Sequence, residues 1–285
     1  VIRTWPQRPR ALMSYAYLRD VELPTGIDIV IDSGAFTVAS TGMRIDIDNY
    51  SAFLAERTGQ FSFALALDVI RDPEASWRNY VHQRESLHGS NVELVPTWHL
   101  GSPLAELERL CEATDLVAIG GAVGTHAVPL MRLAVEAHRV AAKHGTRLHG
   151  LGITSASVLR LPWFSVDSSS WSFARRQPLL YLTSQGGRVR SLSRGNPLSA
   201  TDTTLVQSYG LNPGQVSSRT ATRGPGGRDL LNDYTVAMLR SYMELERWGS
   251  QPRVYLACQP VNIPIITTAH RLGSPYVATF ARAVP

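Results

Sequence analysis

Phe164-Ser165-Val166-Asp167-Ser168-Ser169-Ser170-Trp171 is the stretch that decides how the chain is read. A short apolar run, Trp163 to Val166, delivers the carboxylate of Asp167 into a string of small hydroxyl residues. A buried parallel strand that hands a reactive side chain to the loop at its C-terminal end has this pattern. An aspartate capping a turn, with serines as its loop partners, has it too. A second stretch of the same design, Asp28-Ile29-Val30-Ile31-Asp32-Ser33-Gly34-Ala35-Phe36, ends its apolar run in Asp32-Ser33. Two such strands suggest two carboxylates converging on one site.

Outward from these stretches the same unit repeats. Apolar runs at Ala11 to Tyr17, Ile27 to Ile31 and Phe61 to Leu67 (followed by Asp68) read as strands. So do Val92 to Val95 leading into Pro96-Thr97-Trp98-His99, Asp115 to Ile119 entering Gly120-Gly121-Ala122-Val123-Gly124, and Arg147 to Leu151 with His149-Gly150. Between them, Asp46 to Thr58, Pro73 to Leu87, Pro103 to Ala113 and Val128 to His144 (closed by Gly145) carry helical spacing or helix caps. The short Ser155 to Leu159 segment leads into the Asp167 strand. Alternation of this kind predicts an α/β fold with a parallel sheet, and seven units before residue 170 predict a closed (β/α)8 TIM-type barrel. Arg253 to Cys258 is expected to be the eighth strand, with Leu179 to Thr183 competing for the place. Asp229 caps a helix expected to run to Trp248 and stop at Gly249. Residues 1–285 are therefore expected to form one domain. Within it, 185–228 is a basic, Gly-, Ser-, Thr- and Arg-rich insertion, too long for a simple barrel loop and expected to face the substrate.

The chain has 285 residues and two cysteines, Cys111 and Cys258, which match no zinc-ligand spacing. They read as buried apolar residues of a reducing compartment, so no metal and no cofactor is expected. No apolar run approaches the ~18 residues of a membrane span and no signal peptide is visible, which predicts a soluble, cytoplasmic protein without membrane partners. The first residue is Val1 rather than Met, and a missing N-terminal segment is expected. Of 28 basic side chains all but Lys143 are arginine. Between Ser168 and Arg228 lie Arg175, Arg176, Arg188, Arg190, Arg194, Arg219, Arg223 and Arg228 against one acid, Asp202. That segment carries +7 while the whole chain carries +5, which leaves −2 for the remainder. A basic block attached to the Asp167 loop points to a polyanion, with Arg175, Arg176, Arg188, Arg190 and Arg194 as candidate nucleic-acid contacts; a merely soluble surface would mix signs.

Asp-Ser-Gly-Ala-Phe at Asp32–Phe36, Ile-Gly-Gly-Ala-Val-Gly at Ile119–Gly124, His-Gly-Leu-Gly-Ile at His149–Ile153 and a strand-terminal Asp167 follow one another in an order that resembles the tRNA-guanine transglycosylase superfamily, over roughly residues 28 to 176. Within it the chain is most similar to the DNA-directed branch, the DpdA-type DNA-guanine transglycosylases. The resemblance implies a pentosyltransferase that exchanges guanine in DNA for a free 7-deazaguanine base such as preQ0. It implies Asp167 as the nucleophile at C1′ of the nucleoside and Asp32 as general acid/base. It further implies Asp68 as the acid that takes the N–H donors of the exchanged base, and Gly120 and Gly121 as the turn whose backbone reads the base edge. His149 and Gly150 fall near the base, a purely structural role for His149 being the alternative, with Ser33 and Phe36 beside Asp32. If the chain is phage-encoded, its compartment is the host cytoplasm.

Two departures from the tRNA enzymes bear on substrate. Their Cys-rich zinc site is absent, because Gln207 to Arg228 holds no cysteine. Their base-reading Gln-Gly-Gly is replaced by Trp98-His99-Leu100-Gly101, which leaves His99 as the candidate contact. Phe36, Trp98 and Trp171 offer ring faces for stacking or simply fill the barrel. The readings in competition are a tRNA enzyme without its zinc site, a catalytically silent barrel that binds nucleic acid, and a barrel acting on a small phosphorylated metabolite. Whether the chain forms a homodimer is left open.

Overall fold

A computed structural model describes residues 3–35, 44–122, 126–153, 157–248 and 252–276. The strands are β1 (Arg10–Ser14), β2 (Asp28–Asp32), β3 (Phe63–Leu65), β4 (Leu94–Val95), β5 (Thr97–His99), β6 (Leu116–Gly120), β7 (Arg147–Gly150), β8 (Ser165–Ser168), β9 (Leu179–Thr183), β10 (Val189–Ser193) and β11 (Arg253–Cys258). Nine of them are parallel and hydrogen-bonded in the order β4-β3-β2-β1-β11-β8-β7-β6-β5, curled into a nearly closed barrel.

The two end strands of that sheet, β4 and β5, are neighbours in the chain with only Pro96 between them. The Val95 carbonyl accepts from Ala66 N on the β3 side (2.8 Å), and the Pro96 carbonyl accepts from Ala118 N on the β6 side (2.9 Å). Proline has no N–H to return to β6, so one ladder bond is missing at this point. Carried round from Ser14 through every pairing and across Pro96, the register returns to β1 at the level of Pro6, eight residues lower. A stagger of this kind is what tilts the strands of a barrel.

Side chains alternate in and out along each strand. The inward set Leu12, Val30, Phe63, Leu65, Val95, Leu116, Ala118 and Tyr255 forms one buried cluster. The outward set packs beneath the helices α1 (Ile47–Glu56), α2 (Pro73–Ser86), α3 (Leu104–Ala113), α4 (Ala127–His144), α5 (Phe173–Arg176), α6 (Ala200–Ser208), α7 (Pro213–Val216), α8 (Leu230–Leu245) and α9 (Ile263–Arg271). Local chemistry fixes the helix ends. Asp46 accepts from Asn49 N at 2.9 Å and Asp72 from Ala75 N at 2.9 Å, and Gly145 closes α4 in the left-handed conformation (φ 71°). β1 and β7 are followed by single 3-10 turns, Tyr15–Tyr17 and Val158–Arg160.

The eighth place in the ring belongs to β11, which lies between β8 and β1. Leu179–Thr183 instead forms an antiparallel hairpin with β10, away from the barrel. Tyr15–Tyr17 leaves the first strand as a 3-10 turn, and α8 ends at Leu245, with Gly249 outside the described residues. The stretch 185–228 is more ordered than its loop-like composition suggests. It holds β10, α6 and α7, and its Leu192, Leu205, Val206, Leu211 and Val216 share a core with Tyr234 and Met238 of α8. Among the described residues no helix is long and apolar enough to cross a membrane.

Gly150 ends β7 where a Cβ would lie 2.6 Å from Ile153 Cγ1 and 3.1 Å from the Trp163 ring. Gly150→Ala is therefore expected to destabilise the fold by about 1–3 kcal/mol through overpacking, measured as a lowered urea midpoint with unchanged slope.

Candidate active site

The C-terminal ends of the parallel strands gather most of the residues singled out in the sequence. Asp32 ends β2, His99 ends β5, Gly120 ends β6, Gly150 ends β7, and Asp167 is the next-to-last residue of β8. Asp68 follows β3 by three positions. Asp32 and Asp167 stand at one height. In register Asp167 is level with Tyr255, hence with Arg10 and Asp28. The barrel stagger recovers about one residue per strand over three strands, which brings the level to about residue 31.

Asp167 is a strand residue and not a turn cap. It is 6% exposed, and its Oδ1 accepts from the Gly152 amide at 3.0 Å. His149 lies beneath it, fully buried, with Nε2 3.7 Å from the same oxygen and Nδ1 2.8 Å from Ser165 Oγ. His149 Nε2 is buried with no hydrogen-bond partner among the described residues, the Asp167 oxygen lying beyond hydrogen-bond reach. The ring is held edge-on by Phe63 (5.4 Å) and Tyr255 (6.2 Å). His149 is thus a support under Asp167, deeper than the base contact its motif position implied. Among the described residues Asp167 Oδ2 makes no hydrogen bond.

Asp32 holds its proton to higher pH than an ordinary carboxyl. Its pKa is raised to about 7, first because burial penalises the charge, then because Asp68 and Asp167 are like charges nearby; the Gly34 amide (3.2 Å) and the Ser14 hydroxyl pull it the other way. Asp68 is pinned on both oxygens, by His99 Nε2 at 3.0 Å and Ser33 Oγ at 3.3 Å. Ser33 is wholly buried and also accepts from Ala35 N at 3.4 Å, so it orients Asp68. Asp68 and His99 therefore act as one unit rather than as two independent contacts. Gly120 lets the imidazole lie against the strand, since a Cβ there would meet His99 Cδ2 at 3.0 Å and Thr97 Cγ2 at 3.1 Å. Gly121 is exposed, with φ 84°, which demands glycine. Phe36 lies outside the described residues.

Other expectations are revised. Trp98 and Trp171 are buried, their indole N–H groups bonded to the carbonyls of Pro103 (3.2 Å) and Ala257 (3.1 Å), so neither offers a face to a base. The arginines of the basic segment are largely engaged within the chain. Arg194 donates to the carbonyls of Ala174 and Gln177 and lies over Tyr234, which makes it structural. Arg190 pairs with Asp202 at 2.8 Å. Arg175 bonds Asn232 and faces Asp229, and Arg176 bonds Ser172, both with exposed heads. The exposed side chain of Arg188 has no partner among the described residues.

The sequence reading missed three supports, namely Ser14, Ser165 and the Gly152 amide; the first two share the inward alternation of Asp32 and Asp167. It also missed the rim after β3. Val69 and Ile70 are exposed there, and Arg71 (φ 66°) is the one non-glycine residue with positive φ among the described residues. No group of three or more His, Cys, Asp or Glu among the described residues is arranged to hold a metal. Neither a scan against protein-family models nor a search of curated proteins returned a match.

A carboxyl whose pKa rises on folding stabilises the fold fully below its unfolded value near 3.8, and that contribution is lost as pH climbs through about 7. Asp32→Asn is expected to raise stability at pH 8 by on the order of a few kcal/mol and to leave it unchanged at pH 3.5. Urea unfolding of both proteins across this range checks the sign.

Proposed function

We propose that the chain is a base-exchange glycosyltransferase of the guanine transglycosylase type, built on a TIM-type barrel. In this reading it replaces guanine in DNA with a 7-deazaguanine through a covalent glycosyl-enzyme on Asp167. The observation that carries the reading is the unequal pair at the mouth, Asp32 with its pKa raised to about 7 beside Asp167, whose Oδ1 takes the Gly152 amide and whose Oδ2 makes no hydrogen bond among the described residues. Breaking a C–N glycosidic bond builds positive charge on the sugar, which a carboxylate stabilises and then traps. The departing purine takes a proton at the same time, and Asp32 holds one. In the second half-reaction Asp32, now ionised, accepts the proton of the incoming 7-deazaguanine as the C1′–Asp167 bond breaks. The Asp68–His99 unit sits where the base edge would lie and offers a carboxylate acceptor fixed by Ser33.

The barrel assignment is supported by the eight-residue register offset on one circuit, the stagger of a TIM barrel. In it, 185–228 is an insertion between β8 and the following α8. DNA is favoured over tRNA because this segment carries no zinc-binding cysteines. Arg175, Arg176 and Arg188 keep exposed heads for phosphates; Arg190 and Arg194 are withdrawn from that role. A duplex target must first extrude its guanosine, at a cost of about a few kcal/mol.

Labelled preQ0 incubated with guanine-containing duplex, single-stranded DNA and tRNA tests the reading. Incorporation into DNA is expected. Incorporation into tRNA alone would shift the substrate, and none at all with DNA still bound would leave a binding barrel. Asp167→Asn should lower exchange by roughly a thousandfold or more while DNA binding persists. Arg175→Ala with Arg176→Ala should weaken DNA binding and reduce its salt slope by about 1–2; an unchanged slope would mean that these side chains do not touch phosphate.

A further inference from the structure

The opposite end of the barrel also holds an opening. A cleft of about 530 Å³ lies between the N-terminal lead and the first residues of β1, β2 and β11. Its lining carries four guanidiniums, those of Arg3, Arg8, Arg10 and Arg253, against two carboxylates, Asp28 and Glu246. Both carboxylates are occupied. Asp28 accepts from Arg10 Nε (3.1 Å), Ser62 and Tyr255, and Glu246 accepts from Arg10 Nη1 and from Val254 N (2.9 Å). Arg10 is therefore clamped through Nε and Nη1. Its Nη2 makes no hydrogen bond among the described residues. Arg253 is exposed and held in place differently, by stacking 4.8 Å above the Phe164 ring, and Arg8 is an exposed residue of the same lining.

Cations fixed in advance, with donors left over and neutralising acids already consumed, form a receptor for an oxyanion. The volume is that of a small-molecule site rather than of an ion hole. We propose that this cleft is a second ligand site, for a small phosphate-bearing molecule of about nucleotide size, at the barrel end remote from Asp32 and Asp167. Arg10 Nη2 and the heads of Arg8 and Arg253 converge on the phosphate oxygens. The proposal does not depend on the base-exchange reading, since no residue of the acidic mouth takes part.

Isothermal titration of the chain with inorganic pyrophosphate, and separately with a nucleoside 5′-triphosphate, tests it at low salt. Saturable binding is expected. Arg253→Ala and Arg8→Ala, both at exposed positions, should each weaken it about tenfold. Arg132→Ala, an exposed arginine of α4, should leave it unchanged, and thermal melts of each variant verify folding. No saturable binding of either anion would overturn the proposal, as would affinity unchanged in the Arg8→Ala, Arg253→Ala double variant. A short single-stranded oligonucleotide provides the third arm. If only the oligonucleotide binds, and loses affinity in the double variant, the cleft serves a polymer and the small-ligand proposal falls.

Discussion

Three carboxylates brought to one end of a parallel-strand ring face a medium that solvates charge poorly, and they cannot all ionise at equal cost. The chain resolves the conflict by giving them unequal partners. Asp68 has an imidazole and a hydroxyl, Asp167 an amide and a buried imidazole beneath it, and Asp32 only the Gly34 amide and the nearby Ser14 hydroxyl. Asp32, the most weakly supported of the three, is therefore the one whose pKa is raised, first by burial and then by its two like-charged neighbours.

The period-two alternation of the strands sorts both ends of the barrel. Arg10, Leu12 and Ser14 share the inward face of β1, and Asp28, Val30 and Asp32 that of β2. One strand thus gives a charged or polar residue to each opening and an apolar one to the plug between. Phe63, His149 and Tyr255 close the middle, packed edge to face. The two ends are therefore electrostatically separate: carboxylates crowd one, and guanidiniums outnumber carboxylates at the other.

Much of this was legible in the sequence, because apolar runs ending in Asp, Gly or His mark strands and the residues that leave them. Helix starts at Asp46, Asp72 and Asp229 and the stop at Gly145 follow from side-chain oxygens meeting free amides and from a left-handed cap. What could not be read depends on contacts between distant residues. The arginines after Asp167 look like free charge in one dimension, yet Arg194 is spent on carbonyls and Tyr234, and Arg190 on Asp202. Trp98 and Trp171 look like stacking surfaces until their indole N–H groups are found bonded inside the core. His149 carries no local sign that Ser165, sixteen residues on, shares a hydrogen bond with its Nδ1.

The missing amide of Pro96 gives the ring a seam. It falls between the strands that carry Asp68 and His99 and the strand that ends in Gly120, whereas Asp32 and Asp167 belong to the arc on the far side. Hydrogen bonding is thereby allotted unevenly around the circumference. The strands of the arc from β2 through β1 and β11 to β8 contain no proline, so every amide along it is available to the ladder. Asp32 and Asp167 thus both rest on the part of the ring whose backbone keeps all its donors.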